Sequence, residues 1–389
     1  MDHYTTQWNY PAAIRTGVGR IDELAEACQS LGMKAPLLIT DPGLAALPMV
    51  EAALTSCRAA GLRVACFSGI KANPNGANVS DGCDAFRAGD HDGVIAFGGG
   101  SALDAAKAVA LMANQRKDLS LWALEDVGDN WRNADPAGIV PVVAVPTTAG
   151  TGSEVGRASV ITDSEAEVKR IIFHPGMVPQ SVILDPALTV GLPASVTAAT
   201  GMDALSHNLE AWCSPLYHPM AEGIAAEGIR LVRDFLPRAV ADGQDLEARQ
   251  QMLTASMMGA TAFQRGLGGM HALAHPLGAL YDAHHGMLNA ILMPYVLRAN
   301  ASAIGEQSVR LTRYLGLAQP GTSTLIDWVL DLRESLGIPH TLSALNIDTA
   351  QAERVARMAA EDPSGGTNPI PYGAVDYQRI FVAAVEGRL

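Results

Sequence analysis

From Ile21 to Asp185 short apolar runs alternate with segments patterned like helices, and after Pro186 the alternation stops. That change of texture constrains the fold more than any other feature. Strands separated by helices line up parallel in one sheet, so the first stretch predicts a parallel sheet with helices packed on it. Residues 36–40 (Pro-Leu-Leu-Ile-Thr), 63–67 (Arg-Val-Ala-Cys-Phe), 93–97 (Gly-Val-Ile-Ala-Phe) and 139–145 (Ile-Val-Pro-Val-Val-Ala-Val) are the strand candidates. Each is followed by turn-forming residues. Beyond Pro186 long Ala/Leu/Met-rich stretches have helical spacing, and nothing between 195 and 360 reads as a strand. The expected architecture is an α/β, Rossmann-like dinucleotide-binding domain over residues 1–187 and an all-α domain over 188–389. A chain of 389 residues suits two large domains better than one core.

Composition removes several function classes. Hydrophobic residues make up 48% of the chain and charged ones 17%, enough to fill a sizeable interior and unlike a disordered or fibrous protein. A net charge of −13 repels phosphate backbones and anionic lipid, so neither nucleic acid nor a membrane is an expected partner. Cys28, Cys57, Cys66, Cys83 and Cys213 form no Cys-x-x-Cys pair, which signals neither a disulfide framework nor a thiolate zinc cluster. Trp8-Asn9-Tyr10-Pro11 stands where a secretion signal would need an unbroken apolar stretch, and no later run approaches a membrane span. The expected compartment is the cytoplasm.

Two loops in the first half look suited to a nucleotide. The candidate strand at 93–97 runs into Gly98-Gly99-Gly100-Ser101, with a helix expected from Ala102 to Met112. Glycines let backbone N–H groups approach a pyrophosphate, and a helix N-terminus adds partial positive charge. The usual Gly-x-Gly-x-x-Gly spacing is absent because Leu103 takes the third glycine position, and read alone the run also suits a tight turn. The second loop, Pro146 to Glu154, offers the hydroxyls of Thr147, Thr148, Thr151 and Ser153, equally suited to a helix cap. Asp41, ending the first strand candidate, can accept bonds from a ribose and repel a 2′-phosphate, which favours NAD over NADP; Asp41-Pro42-Gly43 is also a good turn.

The second half concentrates potential metal ligands. Asp203 and His207 are four residues apart, as are His271 and His275, so each pair shares a helix face; His284-His285-Gly286 follows. Any one of these histidines could be a hydrogen-bonded core or surface residue, but together they include five of the chain's ten. The metalloprotease pattern is excluded because Ala272 stands where its glutamate base belongs. A carboxylate with several imidazoles suits Fe²⁺ or Zn²⁺.

Gly98-Gly99-Gly100-Ser101 with Asp104 and Lys107, Thr147 to Glu154, Ala198-Ala199-Thr200-Gly201-Met202-Asp203-Ala204, and His285-Gly286 with Asn289 together resemble the iron-containing alcohol dehydrogenase family in order and spacing. The resemblance covers nearly the whole chain. It implies Asp203, His207, His271 and His285 as metal ligands, with His275 as a proton-relay residue beside substrate and nicotinamide. It also implies cofactor contacts at Asp41, Asn73, Gly98, Gly99, Gly100, Ser101, Ala102, Asp104, Thr147, Thr148, Thr151 and Lys169. The activity implied is hydride transfer between NAD and a small alcohol or aldehyde, and the assembly a homodimer or larger homo-oligomer.

Ala262-Phe263-Gln264-Arg265-Gly266-Leu267-Gly268 and Ala283-His284-His285-Gly286 look more like the 4-hydroxybutyrate dehydrogenase branch. Arg265 could hold a substrate carboxylate bidentately, or form an ion pair within the protein. Two other readings share these motifs. A metal-dependent hydrolase would use the same Asp/His cluster without NAD, although the superficially similar Asp90-His91-Asp92 reads as a solvated turn. An enzyme like glycerol dehydrogenase or dehydroquinate synthase would keep the two-domain plan, and the lyase would produce no net NADH.

Overall fold

A computed structural model describes residues 12–389, so the Trp8-Asn9-Tyr10-Pro11 segment lies outside the described residues. Two compact units emerge: one runs to Thr148 and includes Gly152–Gly191, and the other comprises Ala149–Thr151 and Leu192–Leu389.

The first unit contains β1 (Ala13–Thr16), β2 (Pro36–Ile39), β3 (Ala65–Phe67), β4 (Gly93–Gly98), β5 (Val142–Pro146), β6 (Ala158–Asp163), β7 (Val168–Phe173) and β8 (Ser181–Leu184). Six of these form a sheet in the order β1-β8-β5-β4-β2-β3, with every pairing parallel. All residues of β2, β4, β5 and β8 are buried. Burial on both faces explains why such strands read as continuous apolar runs. The helices of this unit are α1 (Leu24–Ser30), α2 (Pro42–Ala45), α3 (Pro48–Ala59), α4 (Gly76–Ala88) and α5 (Gly100–Met112). Leu24 of α1 and Val50 and Leu54 of α3 share a core with Ile95, Phe97, Val143 and Val145 of the sheet. Each such side chain contributes about 1.5–3 kcal/mol relative to exposure.

The sheet order reverses between β2 and β4, because the chain goes outward from β2 to β3 and then returns past β2 to β4 and β5. Open α/β sheets bind ligands outside the carboxyl ends of strands at such a reversal. Asp41 follows β2 there, and Gly99 follows β4.

The sequence pattern identified β2, β3, β4 and β5, whereas β1, β6, β7 and β8 were not anticipated. β1 carries Arg15 and Thr16 at the edge of the sheet and β8 opens on Ser181, so neither reads as an unbroken apolar run. β6 and β7 form an antiparallel pair beside the main sheet, and β7 carries Lys169 and Arg170 on a mostly half-buried strand.

The second unit is helical and holds no strand among its described residues. It comprises α6 (Ala194–Cys213), α7 (Pro219–Ala241), α8 (Leu246–Ala262), α9 (Gly269–Tyr281), α10 (His285–Ala299), α11 (Gly305–Tyr314), α12 (Thr322–Ser335), α13 (Ala352–Glu361) and α14 (Ala374–Glu386). α6 is buried almost all round and packs against α7, α8 and α10, as expected of a helix without a polar face. Close approach is possible because all three neighbours present glycine, Gly228 of α7 facing Asn208. A Cβ on Gly259 of α8 would lie 2.9 Å from the His207 Cβ, and one on Gly286 of α10 would lie 2.4 Å from the Ala199 carbonyl oxygen. Neither α6 nor any other described helix is long and apolar enough to cross a membrane.

Candidate active site

α6 carries Asp203 and His207 one turn apart, with Glu210 a further turn along the same face. α9 contributes His271 and His275, and α10 opens at His285. Asp282, in the left-handed conformation at φ 51°, ends α9. His284 then caps α10, its Nδ1 accepting from the Met287 N–H at 3.4 Å, so the neighbouring imidazole is fixed in the first helical turn. One ligand atom each from Asp203, His207, His271 and His285 lies within 4.8 Å of the others.

Hydrogen bonds set the imidazoles for coordination. His207 Nδ1 donates to the Gly150 carbonyl at 3.3 Å, and His271 Nδ1 donates to Glu210 Oε2 at 2.6 Å. In both rings Nε2 is left with its lone pair. The Asn289 side-chain amide, one turn into α10, donates to Asp203 Oδ1 at 2.9 Å and approaches Nε2 of His285 at 3.1 Å and of His271 at 3.2 Å. Burial pushes His207 down to about 4, so it is neutral at physiological pH. Burial also pulls His271 down, but the Glu210 and Asp203 carboxylates outweigh it and leave its pKa raised. A carboxylate and three imidazoles without a thiolate form a donor set that fits Fe²⁺ or Zn²⁺.

His275 stands outside this set. Its ring stacks on His285 with centroids 5.6 Å apart, and its Nδ1 bonds to Asp362 Oδ2 at 2.8 Å. The other Asp362 oxygen accepts from the Ser364 N–H at 2.9 Å. Burial would raise the Asp362 carboxyl, but His275 and Ser364 outweigh it and hold it below the usual carboxylate range.

In the α/β unit Gly98 has φ 146°, a conformation that side chains disfavour, and a Cβ there would meet the Ala102 Cβ at 2.8 Å. α5 begins at Gly100 with no side chain capping it, which leaves its first amides for an anion. Thr147 is buried and its Oγ1 lacks a hydrogen-bond partner, while its N–H donates to the Gly98 carbonyl at 2.9 Å. Asp41 serves as the turn residue too, accepting from the Leu44 N–H through Oδ1 at 2.9 Å; Oδ2 would be 3.9 Å from a Cβ on Gly98. Lys169 Nζ donates to Asn73 Oδ1 at 3.0 Å, and the Ser101 hydroxyl donates to the neighbouring Ala72 carbonyl. Thr151 belongs with Gly150 to the helical unit. An open glycine cradle, an uncapped helix N-terminus and an orphaned hydroxyl fit a dinucleotide phosphate.

Residues 11–186 match the family model for iron-containing alcohol dehydrogenase, and residues 197–385 match the C-terminal part of the Fe-containing alcohol dehydrogenase family. The chain belongs to the iron-containing alcohol dehydrogenase family. It is an oxidoreductase. The 4-hydroxybutyrate dehydrogenase of Cupriavidus necator is 39% identical across 96% of this chain and 98% of its own. The NAD-dependent methanol dehydrogenase of Bacillus methanolicus is 34% identical across 94% of this chain and 96% of its own. A crystal structure of 1,3-propanediol oxidoreductase superimposes with a TM-score of 0.91 at 37% identity, covering 97% of this chain and all of the other.

One expectation for this dehydrogenase needs correction. Arg265 is buried, and its guanidinium donates to the Leu216 carbonyl at 2.7 Å, to Ala211 at 3.1 Å and to Trp212 at 2.9 Å. Glu222 faces its remaining nitrogen at 3.3 Å. Ala211 and Trp212 are in the last turn of α6, where carbonyls lack helical partners, so Arg265 caps that helix and has no fork to offer a substrate carboxylate. Asp104 likewise turns both oxygens inward. It accepts from the Ser153 hydroxyl and from the Val160 N–H at 2.9 Å, with Lys107 Nζ at 3.4 Å, and so ties β6 to α5.

Lys107 and Glu154 are both buried. Burial raises the Glu154 carboxyl to about 7 against the nearby Lys107, which lowers it. Because the folded pKa lies above the ordinary 4.5, stability is fullest below 4.5 and is lost as pH rises through about 7. The loss should reach about 3 kcal/mol at pH 8. Glu154→Gln is expected to flatten this slope in thermal melts between pH 5 and pH 8. An unchanged slope would place the buried proton elsewhere.

Proposed function

We propose that the enzyme interconverts a short primary alcohol and its aldehyde, using NAD and a divalent cation, Fe²⁺ or Zn²⁺, held by Asp203, His207, His271 and His285. The carrying observation is the convergence of those four donors within 4.8 Å, with the imidazoles already presenting Nε2 where their hydrogen bonds define the tautomer. When bound, the cation supplies Lewis acidity at the alcohol oxygen and NAD accepts the hydride. The chain supplies the rest. His275 donates Nδ1–H to Asp362, which leaves Nε2 to take the alcohol proton and pass it towards solvent.

The NAD phosphates would sit on the amides of Gly98, Gly99, Gly100, Ser101 and Ala102, and Asp41 would accept from a ribose. Asn73, Thr147, Thr148, Thr151 and Lys169 complete the proposed contacts. In this reading residues 1–187 bind NAD and residues 188–389 hold the cation. The enzyme would work in the cytoplasm as a homodimer or larger homo-oligomer. An ω-hydroxy acid such as 4-hydroxybutyrate is the preferred substrate, supported by the Cupriavidus necator relative and the Gln264 segment, with Arg265 no longer a reason for it.

The test is NADH formation by metal-stripped protein reloaded separately with Fe²⁺ and Zn²⁺, on 4-hydroxybutyrate, 1,3-propanediol and unsubstituted alcohols. Metal-dependent NADH formation, fastest with the hydroxy acid, is expected. Folded protein that binds NAD and stays silent with every alcohol and both metals would sink the proposal.

A further inference from the structure

Glu210 is buried at 5% exposure, yet it is neither an expected metal ligand nor a member of the converging donor set. Both of its oxygens are committed to α9. Oε1 accepts from the Met270 N–H at 2.7 Å, and Oε2 accepts from His271 Nδ1 at 2.6 Å. On the far side of the same ring the Asn289 amide stands 3.2 Å from Nε2. A carboxylate only accepts, so the ring carries its proton on Nδ1, against Glu210, and its lone pair on Nε2, towards Asp203 and His285.

We infer that Glu210 is a positioning residue for the metal, setting the tautomer, the orientation and the basicity of His271. The inference rests on the proposed cation site. α6 then serves the centre twice: Asp203 and His207 supply donor atoms, and Glu210, one turn further on, reaches across to govern a donor on another helix. Glutamine cannot substitute, although it has the same shape. Glu210 accepts two N–H groups, whereas a side-chain amide has one oxygen and one NH₂. If its oxygen stays on Met270, the NH₂ faces His271 Nδ1 and drives the ring proton to Nε2, the nitrogen that coordinates. If the amide turns over, two donors confront each other at Met270. A carboxylate behind a coordinating imidazole also makes that imidazole a stronger donor, and loss of such partners typically weakens metal binding by about 10–100-fold.

The experiment measures Co²⁺ affinity by chelator competition, with thermal melts of the metal-free proteins, for wild type, Glu210→Gln, His271→Ala and the double variant. Glu210→Gln should bind Co²⁺ about 10–100-fold more weakly, while in the His271→Ala background it should change affinity less than about twofold. A residue that merely supports the fold would lower the metal-free melting temperature and weaken binding equally in both backgrounds, which overturns the inference. So would wild-type affinity in Glu210→Gln. Wild type that binds no Co²⁺ would instead remove the cation site itself, and the inference with it. Should Glu210→Gln fail to fold, nitrogen NMR of the histidines in Zn²⁺-loaded wild type decides. A His271 ring protonated at Nδ1 and coordinated through Nε2 is expected, and coordination through Nδ1 overturns the assignment.

Discussion

Asp203→Ala should abolish metal binding and lower metal-dependent NADH formation by more than about a thousandfold, about 4 kcal/mol in the barrier. Asp203 supplies the carboxylate of a donor set whose other members are imidazoles. It is also the anchor to which Asn289 donates at 2.9 Å, with His285 Nε2 at 3.6 Å. Truncation therefore removes the anionic ligand, while the Asn289 amide keeps the Nε2 atoms of His271 and His285 as acceptors. The fold itself should tolerate the change. Alanine is the best helix former, and the position is interior to α6, so local propensity opposes nothing. An anion at 2% exposure is also costly without a cation beside it. The metal-free variant should thus melt at or above the metal-free wild type, while the rise in melting temperature on adding Zn²⁺ should disappear. Metal content after dialysis, paired with the two melts, checks this. A variant that retains stoichiometric metal would show that the donors lie elsewhere.

Local signals made some elements and residues legible in the amino-acid sequence and left others hidden. The buried strands β2, β4 and β5 were legible because burial on both faces demands unbroken apolar residues. β7 was not, since its lysine and arginine resemble a polar loop until the pairing with β6 is known. Asp203 and His207 announce themselves by their four-residue spacing, and by the same logic Glu210, three residues after His207, could have been found. In sequence a glutamate inside an Ala/Leu-rich helix looks like an ordinary solvated face, and only tertiary structure shows it buried beside His271. Asp362 had no sequence signal at all: it lies 87 residues from the histidine it orients. Arg265 shows the opposite error. Closeness to His271 in sequence suggested a substrate contact, whereas the guanidinium is consumed by the carbonyls ending α6. Residues whose type and spacing form a pattern within one helix were readable, and those marked only by a partner on another element were not.

His275→Gln is expected to lower kcat by about 10²–10⁴-fold while leaving metal content unchanged, since the proposed role is proton transfer and not coordination. Its ring atoms lie outside the four-donor cluster although the ring stacks on His285. The choice of glutamine matters. Alanine would leave the Asp362 carboxylate, 9% exposed, without its imidazole partner and would cost on the order of 1–3 kcal/mol of stability, mixing a folding defect with a catalytic one. Glutamine can still donate an N–H to Asp362 but offers no basic nitrogen. Asp362 alone cannot replace the base, because its two oxygens are engaged by His275 and Ser364 and its carboxyl is held below the usual range. The kinetic signature should therefore be a fall in kcat with KM changed little, in alcohol oxidation and aldehyde reduction alike, because one proton crosses the same position in either direction. Undiminished kcat in His275→Gln would send the proton by another route and leave the His275–Asp362 pair as packing between α9 and the segment that follows α13.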